Sequence, residues 1–229
     1  VNAMSDKQTA AMHIADDAYA GSESFNRFKK AGLTAALAAA LATGPALADD
    51  TVTLKFGFVD PVNSSYAQGG QKFADELARL TDGKVKVQVV AGGTLGGERE
   101  MYEGAQMGTM DIISVVNTVL SQFIPELVLL DQPFLFDTLE QAHAAADGRL
   151  GELVAKKAEA QGVHIIGWLE SGFRDTFSGK PIEKPEDFNG VKIRTMENKN
   201  HMDFWTAIGA EPTPLAWAEL YISLQIGRA

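Results

Sequence analysis

Apolar and polar side chains alternate at the start of the ordered pattern. Val52, Leu54, Phe56 and Phe58 fall on one side, and Thr51, Thr53, Lys55 and Gly57 on the other. A period of two predicts a strand with one buried face. After a polar loop at 60–65 (DPVNSS) the period changes: Phe73, Leu77 and Leu80 recur at i, i+4 and i+7, the stripe of a helix packed on a core. Thr81-Asp82-Gly83 stops that helix. Val85, Val87 and Val89 alternate with Lys86 and Gln88, which predicts a second strand. The glycine-rich stretch AGGTLGGERE opens a second helix, 99–106, which Gly108 ends; MDIISVV (110–116) then reads as a buried strand. Strand, helix, strand, helix, strand over 51–116 predicts an α/β unit with a largely parallel sheet.

The pattern continues less regularly. FIPELVLLDQPFLF (123–136) is densely apolar with a proline near each end, which suggests a connection crossing the core. Residues 139–161 read as one helix. VHIIGW (163–168) and VKIRT (191–195) read as strands, separated by turns rich in proline and glycine. Residues 199–208 form a helix containing Phe204 and Trp205, GAEPTP (209–214) breaks it, and Trp217 begins a last helix.

The two late strands each deliver an arginine, Arg174 just past the first and Arg194 within the second. A guanidinium is always charged and presents a planar fork of donors that fits a carboxylate. Two forks on neighbouring strands of one sheet could converge on one anion. The plainer alternative is a pair of ordinary surface ion pairs, with Asp175, Glu170 or Glu197 as partners.

Composition narrows the classes. The 229 residues carry 45% hydrophobic and 22% charged side chains, ordinary for a globular chain. A net charge of −10 argues against a nucleic-acid partner. A local cationic pocket for a small anion remains compatible with that field. The absence of cysteine excludes disulfides and thiolate chemistry. The glycine-rich loop lacks the spacing of a phosphate cradle. No GxSxG, HExxH or metal-ligating histidine spacing is present, so neither an enzyme nor a cofactor is expected. Glu98 suits a helix N-terminus electrostatically. Asn117-Thr118 ends the third predicted strand, where open α/β sheets hold ligands, and equally suits a helix cap.

The N-terminus reads as a targeting segment. Arg27, Lys29 and Lys30 precede an uncharged stretch, 31–48, that ends Ala46-Leu47-Ala48. Basic start, apolar middle and A-x-A end are the parts of a secretory signal peptide, with cleavage expected after Ala48. A membrane anchor is the alternative, but the stretch is only weakly apolar. Residues 1–24 are polar and precede the usual start of such a leader, which suggests an upstream misassignment of the translation start. Charges in 1–48 cancel, so the whole −10 belongs to 49–229.

Six motifs in order, LKFGF, GGTLGGEREMYEGAQMGTMDI, IPELVLLDQPFLF, GFRDTFSGKPI, FNGVKIRTMEN and GAEPTPLAWAELY, resemble the solute receptors of TRAP (tripartite ATP-independent periplasmic) transporters, dicarboxylate-receptor type. The resemblance covers about residues 52–225. It implies a periplasmic-binding-protein-like α/β fold, with two lobes around a hinge: 49–171 the first, 172–229 the second, which would be incomplete. It implies a periplasmic receptor that binds an organic acid and delivers it to membrane permease subunits. Arg194 would form the salt bridge to the carboxylate, Arg174 would be the second anchor and Trp217 would pack on the ligand; Glu98 and Asn117 would reach the cleft. Arg194 is followed by Thr195-Met196 where the common pattern has valine-proline. The chain stops shortly after ELYISLQIG and looks shorter by roughly a third than a two-domain receptor of about 300 residues. An open sheet edge, partial exposure of Phe204, Trp205, Trp217 and Leu220, poor stability and weak or absent binding are the corresponding expectations.

Overall fold

The structure, a computed structural model, describes residues 51–228. The leader and its cleavage after Ala48 lie outside the described residues. β1 (Val52–Gly57), α1 (Ser65–Leu80), β2 (Val85–Val90), α2 (Glu98–Gln106) and β3 (Ile112–Ile113) follow the predicted order. They form a parallel sheet in the order β2-β1-β3, with Val52 opposite Val85 and Phe56 opposite Ile112.

The period-2 face of β1 packs on α1. Leu54 meets Leu77 and Val85; Phe56 and Phe58 meet Ala67. Phe56 stands edge-on to Phe58 and to Phe73, a geometry that aromatic quadrupoles favour. Gly70 lets the helix approach, since a Cβ there would sit 3.3 Å from the Phe56 ring. Ser64 caps α1 by accepting the Ala67 N–H. At its far end Thr81 Oγ1 donates to Leu77 O and accepts the Val85 N–H, joining helix end to strand start. Asp82 (φ 49°) and Gly83 (φ 78°) make the left-handed turn between them.

The third strand is shorter than MDIISVV predicts. The Ser114 N–H still reaches Gly57 O, but the next residue of the neighbouring chain, Phe58, is bonded elsewhere, its N–H donating to Val90 O and its carbonyl accepting the Gly93 N–H. Beyond it come α3 (Asn117–Leu120) and a 3-10 segment, Pro125–Asp131. These carry the second core cluster, in which Tyr102, Leu120, Ile124 and Leu127 pack against Val154 and Ala158. The core-crossing reading of 123–136 holds for Ile124 and Leu127 and fails for Phe134 and Leu135, which are exposed.

The single helix predicted over 139–161 is two, α4 (Leu139–Ala146) and α5 (Arg149–Glu159). They meet at a corner that requires glycine. A Cβ on Gly151 would fall 1.7 Å from Ala146 O, and one on Gly148 2.6 Å from Ala144 O.

VHIIGW is not a strand. Residues 163–184 contain neither helix nor strand. Val163 and Ile165 pack against the second cluster, while Ile166 and Leu169 are exposed. A strand exists only through its ladder, and β3 offers an edge just two residues long.

The second sheet pairs β4 (Lys192–Thr195) with β5 (Glu211–Pro214) in parallel, connected by α6 (Lys199–Ala207). GAEPTP was expected to be a break, because proline cannot donate to a ladder. Here Pro212 and Pro214 occupy alternate positions, and their neighbours donate instead: Glu211 N–H to Val191 O and Leu215 N–H to Thr195 O. The sheet has only these two strands among the described residues. A 3-10 turn, Trp217–Glu219, precedes α7 (Leu220–Gln225). Phe204, Trp205 and Leu220 are half-buried and Trp217 is 42% exposed, the partial exposure expected of them. Among the described residues no helix is long and apolar enough to cross a membrane.

Candidate functional site

The site forms where α3 meets the β4–α6 junction. Buried Asn198 is the N-cap of α6, its Oδ1 accepting the Asn200 and His201 N–H groups. Its Nδ2 donates to Thr118 O and Ser121 Oγ. Both polar atoms of the side chain are thereby used, and α3 is tied to the start of α6.

Arg194 lies in β4 opposite Thr213. Its Nε and Nη2 both donate to Leu215 O, at 3.1 and 2.7 Å. That fixes one edge of the guanidinium and leaves Nη1 and the outer hydrogen of Nη2 as an end-on fork. The guanidinium carbon sits 5.9 Å from the Trp217 ring centre, within cation–π range. Among the described residues no carboxylate lies within ion-pair distance of Arg194. Burial pulls its pKa below the ordinary value, nearby Arg174 adds to this, and Glu98 and Glu197 oppose it. It stays charged throughout the working range.

The expectation that both arginines stand on strands of one sheet is corrected. Arg174 sits on the irregular 163–184 segment, exposed, with Nη2 3.4 Å from Thr118 Oγ1. It still lines the same cleft as Arg194 and lies close enough to affect its charge. The surface-pair alternative also fails for Glu170, which bonds His143 Nε2 at 2.7 Å instead.

Glu98 is the first residue of α2. Its Oε1 accepts the Val116 N–H at 2.9 Å and so ties that helix to the chain beyond β3. Burial raises its pKa; the Val116 bond and the two arginines pull it back, while Asp60 pushes it further up. Asn117 begins α3 rather than ending a strand, and its Nδ2 donates to Asp131 Oδ1 at 2.9 Å. Thr118 Oγ1 donates to the same oxygen, also at 2.9 Å.

Two residues escaped the sequence reading, Asp131 and His201. Their signals were available: a lone acid inside an apolar run and a histidine three residues past a helix cap. Their side chains are 6% and 12% exposed, with His201 Nε2 3.9 Å from Asp131 Oδ2. Burial depresses the His201 pKa most; Asp131 opposes this, and Arg174 and Arg194 reinforce it.

Glu98, Asn117, Asp131, Arg174, Arg194, His201 and Trp217 thus border one cleft of about 3090 Å³, open to solvent. A second recess of about 200 Å³ is shared by Glu98, Arg194, Leu215 and Trp217. Closed small-molecule sites measure roughly 300–1,000 Å³, so the large cleft is an open groove.

The parallel α/β framework thus carries a groove bordered by two guanidinium groups, those of Arg174 and Arg194. Residues 56–228 match the family described as bacterial extracellular solute-binding protein, family 7, and the chain belongs to it. A solute-binding protein of Roseobacter denitrificans is 35% identical over 190 residues, 82% of this chain and 58% of that protein. A C4-dicarboxylate-binding periplasmic protein of Rhodobacter capsulatus is 30% identical over 187 residues, 80% of this chain and 55% of that protein. Among solved structures, a TRAP periplasmic solute-binding protein of Polaromonas sp. JS666 bound to D-erythronate is similar. It superposes with TM-score 0.73 at 42% identity, over 77% of this chain and 59% of that one. The α/β fold is therefore that of TRAP solute-binding proteins, which are receptors rather than enzymes, and the chain spans a little over half of their length.

Proposed function

We propose that this chain serves as the carboxylate-receiving part of a TRAP-type receptor, exported by a leader cut after Ala48. It takes up an organic acid in the periplasm and delivers it to membrane permease subunits. Arg194 is the primary anchor: its end-on fork donates to both carboxylate oxygens, and Leu215 O and Trp217 hold the plane still. Arg174 is the second anchor, brought in from the opposite wall by its segment. Trp217 packs on the ligand as well as on Arg194. Asn117 and Glu98 shape the floor, Asn117 through Asp131 and Glu98 through the Val116 N–H.

The observation that carries this reading is Arg194 itself: half-buried, oriented by a backbone carbonyl and unmatched by any carboxylate among the described residues. A buried guanidinium calls for an anion. Membership of a solute-binding family supports reading that anion as cargo, with His201 as a binding group rather than a catalytic base. Native mass spectrometry of the chain expressed to the periplasm tests it. A co-purified organic acid, lost in Arg194→Ala, is the expected result; an empty protein that gains no thermal stability from any acid would overturn it.

A further inference from the structure

Asp131 presents an unusual asymmetry. Its Oδ1 accepts two hydrogen bonds, from Asn117 Nδ2 and Thr118 Oγ1. Its Oδ2 is buried and has no donor among the described residues. Buried carboxylate oxygens are nearly always satisfied, so a bare one in a ligand groove points to a missing donor. His201 Nε2 lies 3.9 Å from Oδ2, too far for a direct hydrogen bond. One oxygen atom placed between them could lie about 2.7–3.0 Å from each. That oxygen would donate to Oδ2 and, with the ring proton on Nε2, accept from the imidazole. A hydroxyl can do both, whereas a carboxylate can only accept.

We propose that Asp131 Oδ2 and His201 Nε2 form a hydroxyl-reading subsite beside the arginine anchors, so that the receptor selects a polyhydroxylated acid of the sugar-acid class over an unsubstituted carboxylic acid. The inference rests on Arg194 being the carboxylate anchor. The subsite is fixed in advance. Asn198 accepts the His201 N–H and donates to Thr118 O, while Thr118 Oγ1 holds the Asp131 carboxylate. One buried unit therefore positions both halves of the pair. The charged groups that act on His201 are Asp131, Arg174 and Arg194; burial and the two arginines pull its pKa below the ordinary value, and Asp131 opposes them. A negative Asp131 also repels a second carboxylate, which works against dicarboxylates.

The test is an NMR-monitored titration of the exported chain with D-erythronate, its mono-deoxy counterparts and butanoate. Wild type is expected to bind erythronate at least about tenfold more tightly than butanoate and than one of the mono-deoxy acids, the scale of a lost hydrogen bond to a charged group. In Asp131→Asn and in His201→Gln that preference should collapse to within about threefold. Thermal melts check that each variant folds, and His201→Gln alone decides the matter if Asp131→Asn does not. Retention of the wild-type preference in a folded variant overturns the subsite, as does a wild type that binds all these acids equally; in both cases the carboxylate reading stands. Arg194→Lys separates the two claims, because it should weaken butanoate and erythronate alike. If butanoate binding survives that change, the anchor assignment fails instead, and if no acid binds the wild type both claims fall.

Discussion

Asn198 Nδ2 donates to Thr118 O at 2.8 Å, a buried hydrogen bond between residues 80 positions apart. The same carbonyl also accepts from Ser121 Oγ, and the Thr118 hydroxyl lies between Asp131 and Arg174. One threonine thus touches the anchor segment, the buried acid and the start of α6. This contact joins the segments that line the groove.

Replacing Asn198 tests that dependence. Asn198→Ala removes an N-cap and two buried hydrogen bonds, and should lower unfolding free energy by about 2–3 kcal/mol. Urea unfolding measures it. Asn198→Asp keeps the cap acceptor but turns an oxygen toward Thr118 O, so it should also destabilise. A loss below about 0.5 kcal/mol in the alanine variant would show that the junction is held elsewhere.

The raised pKa of Glu98 has a definite sign. Its folded-state value lies above the ordinary 4.5, chiefly through burial. Its contribution to stability is therefore fully present below that ordinary value and is lost as pH rises through the folded-state value. At higher pH folding therefore stabilises the ionised carboxylate less than it would the protonated form. Glu98→Gln retains an acceptor for the Val116 N–H, so the variant should be more stable than wild type at pH 7 and lose less stability on going up from pH 4.5. Thermal melts across that range decide it; a variant less stable at neutral pH would contradict the account.

Two glycines, one at the α4–α5 corner and one in α1, are expected to respond oppositely to alanine. Gly151→Ala forces a Cβ onto the Ala146 carbonyl and should cost about 1–3 kcal/mol or more by opening the corner. Gly69→Ala, in α1, meets nothing within 4 Å and should stabilise by about 0.5–1 kcal/mol through helix propensity. Equilibrium denaturation of the pair checks both signs.

Export supplies a fourth check. The basic-apolar-A-x-A order predicts a mature protein beginning at Asp49. N-terminal sequencing of the periplasmic product should return Asp-Asp-Thr-Val, and a product that retains residues 31–48 would contradict cleavage.

Local periodicity made the first sheet legible. The alternation through Val52–Phe58 and the Phe73-Leu77-Leu80 stripe each encode their own buried face. The misreadings have tertiary causes. Val163–Trp168 has strand composition, but no ladder partner realises it. Pro212 and Pro214 hid β5, because only the register with β4 shows that both fall where no donor is needed. The break in 139–161 depends on contacts with the Ala144 and Ala146 carbonyls that no periodicity reveals. At the site, the motif resemblance picked out Arg194, Arg174, Trp217, Glu98 and Asn117, and the fold brings all five to one groove. Asp131 and His201 meet where Asn198 joins α3 to α6, a contact between distant segments.

The central claim is that the Arg194 fork, held by Leu215 O, binds the carboxylate of the cargo. Arg194→Lys keeps the positive charge and removes the planar fork. Calorimetric titration with D-erythronate measures the difference directly. The account predicts an affinity loss of about 2–5 kcal/mol, the range for breaking a desolvated charge pair, with unfolding free energy changed by less than that. A threefold change or smaller in affinity would place Arg194 outside the binding chemistry and contradict the account.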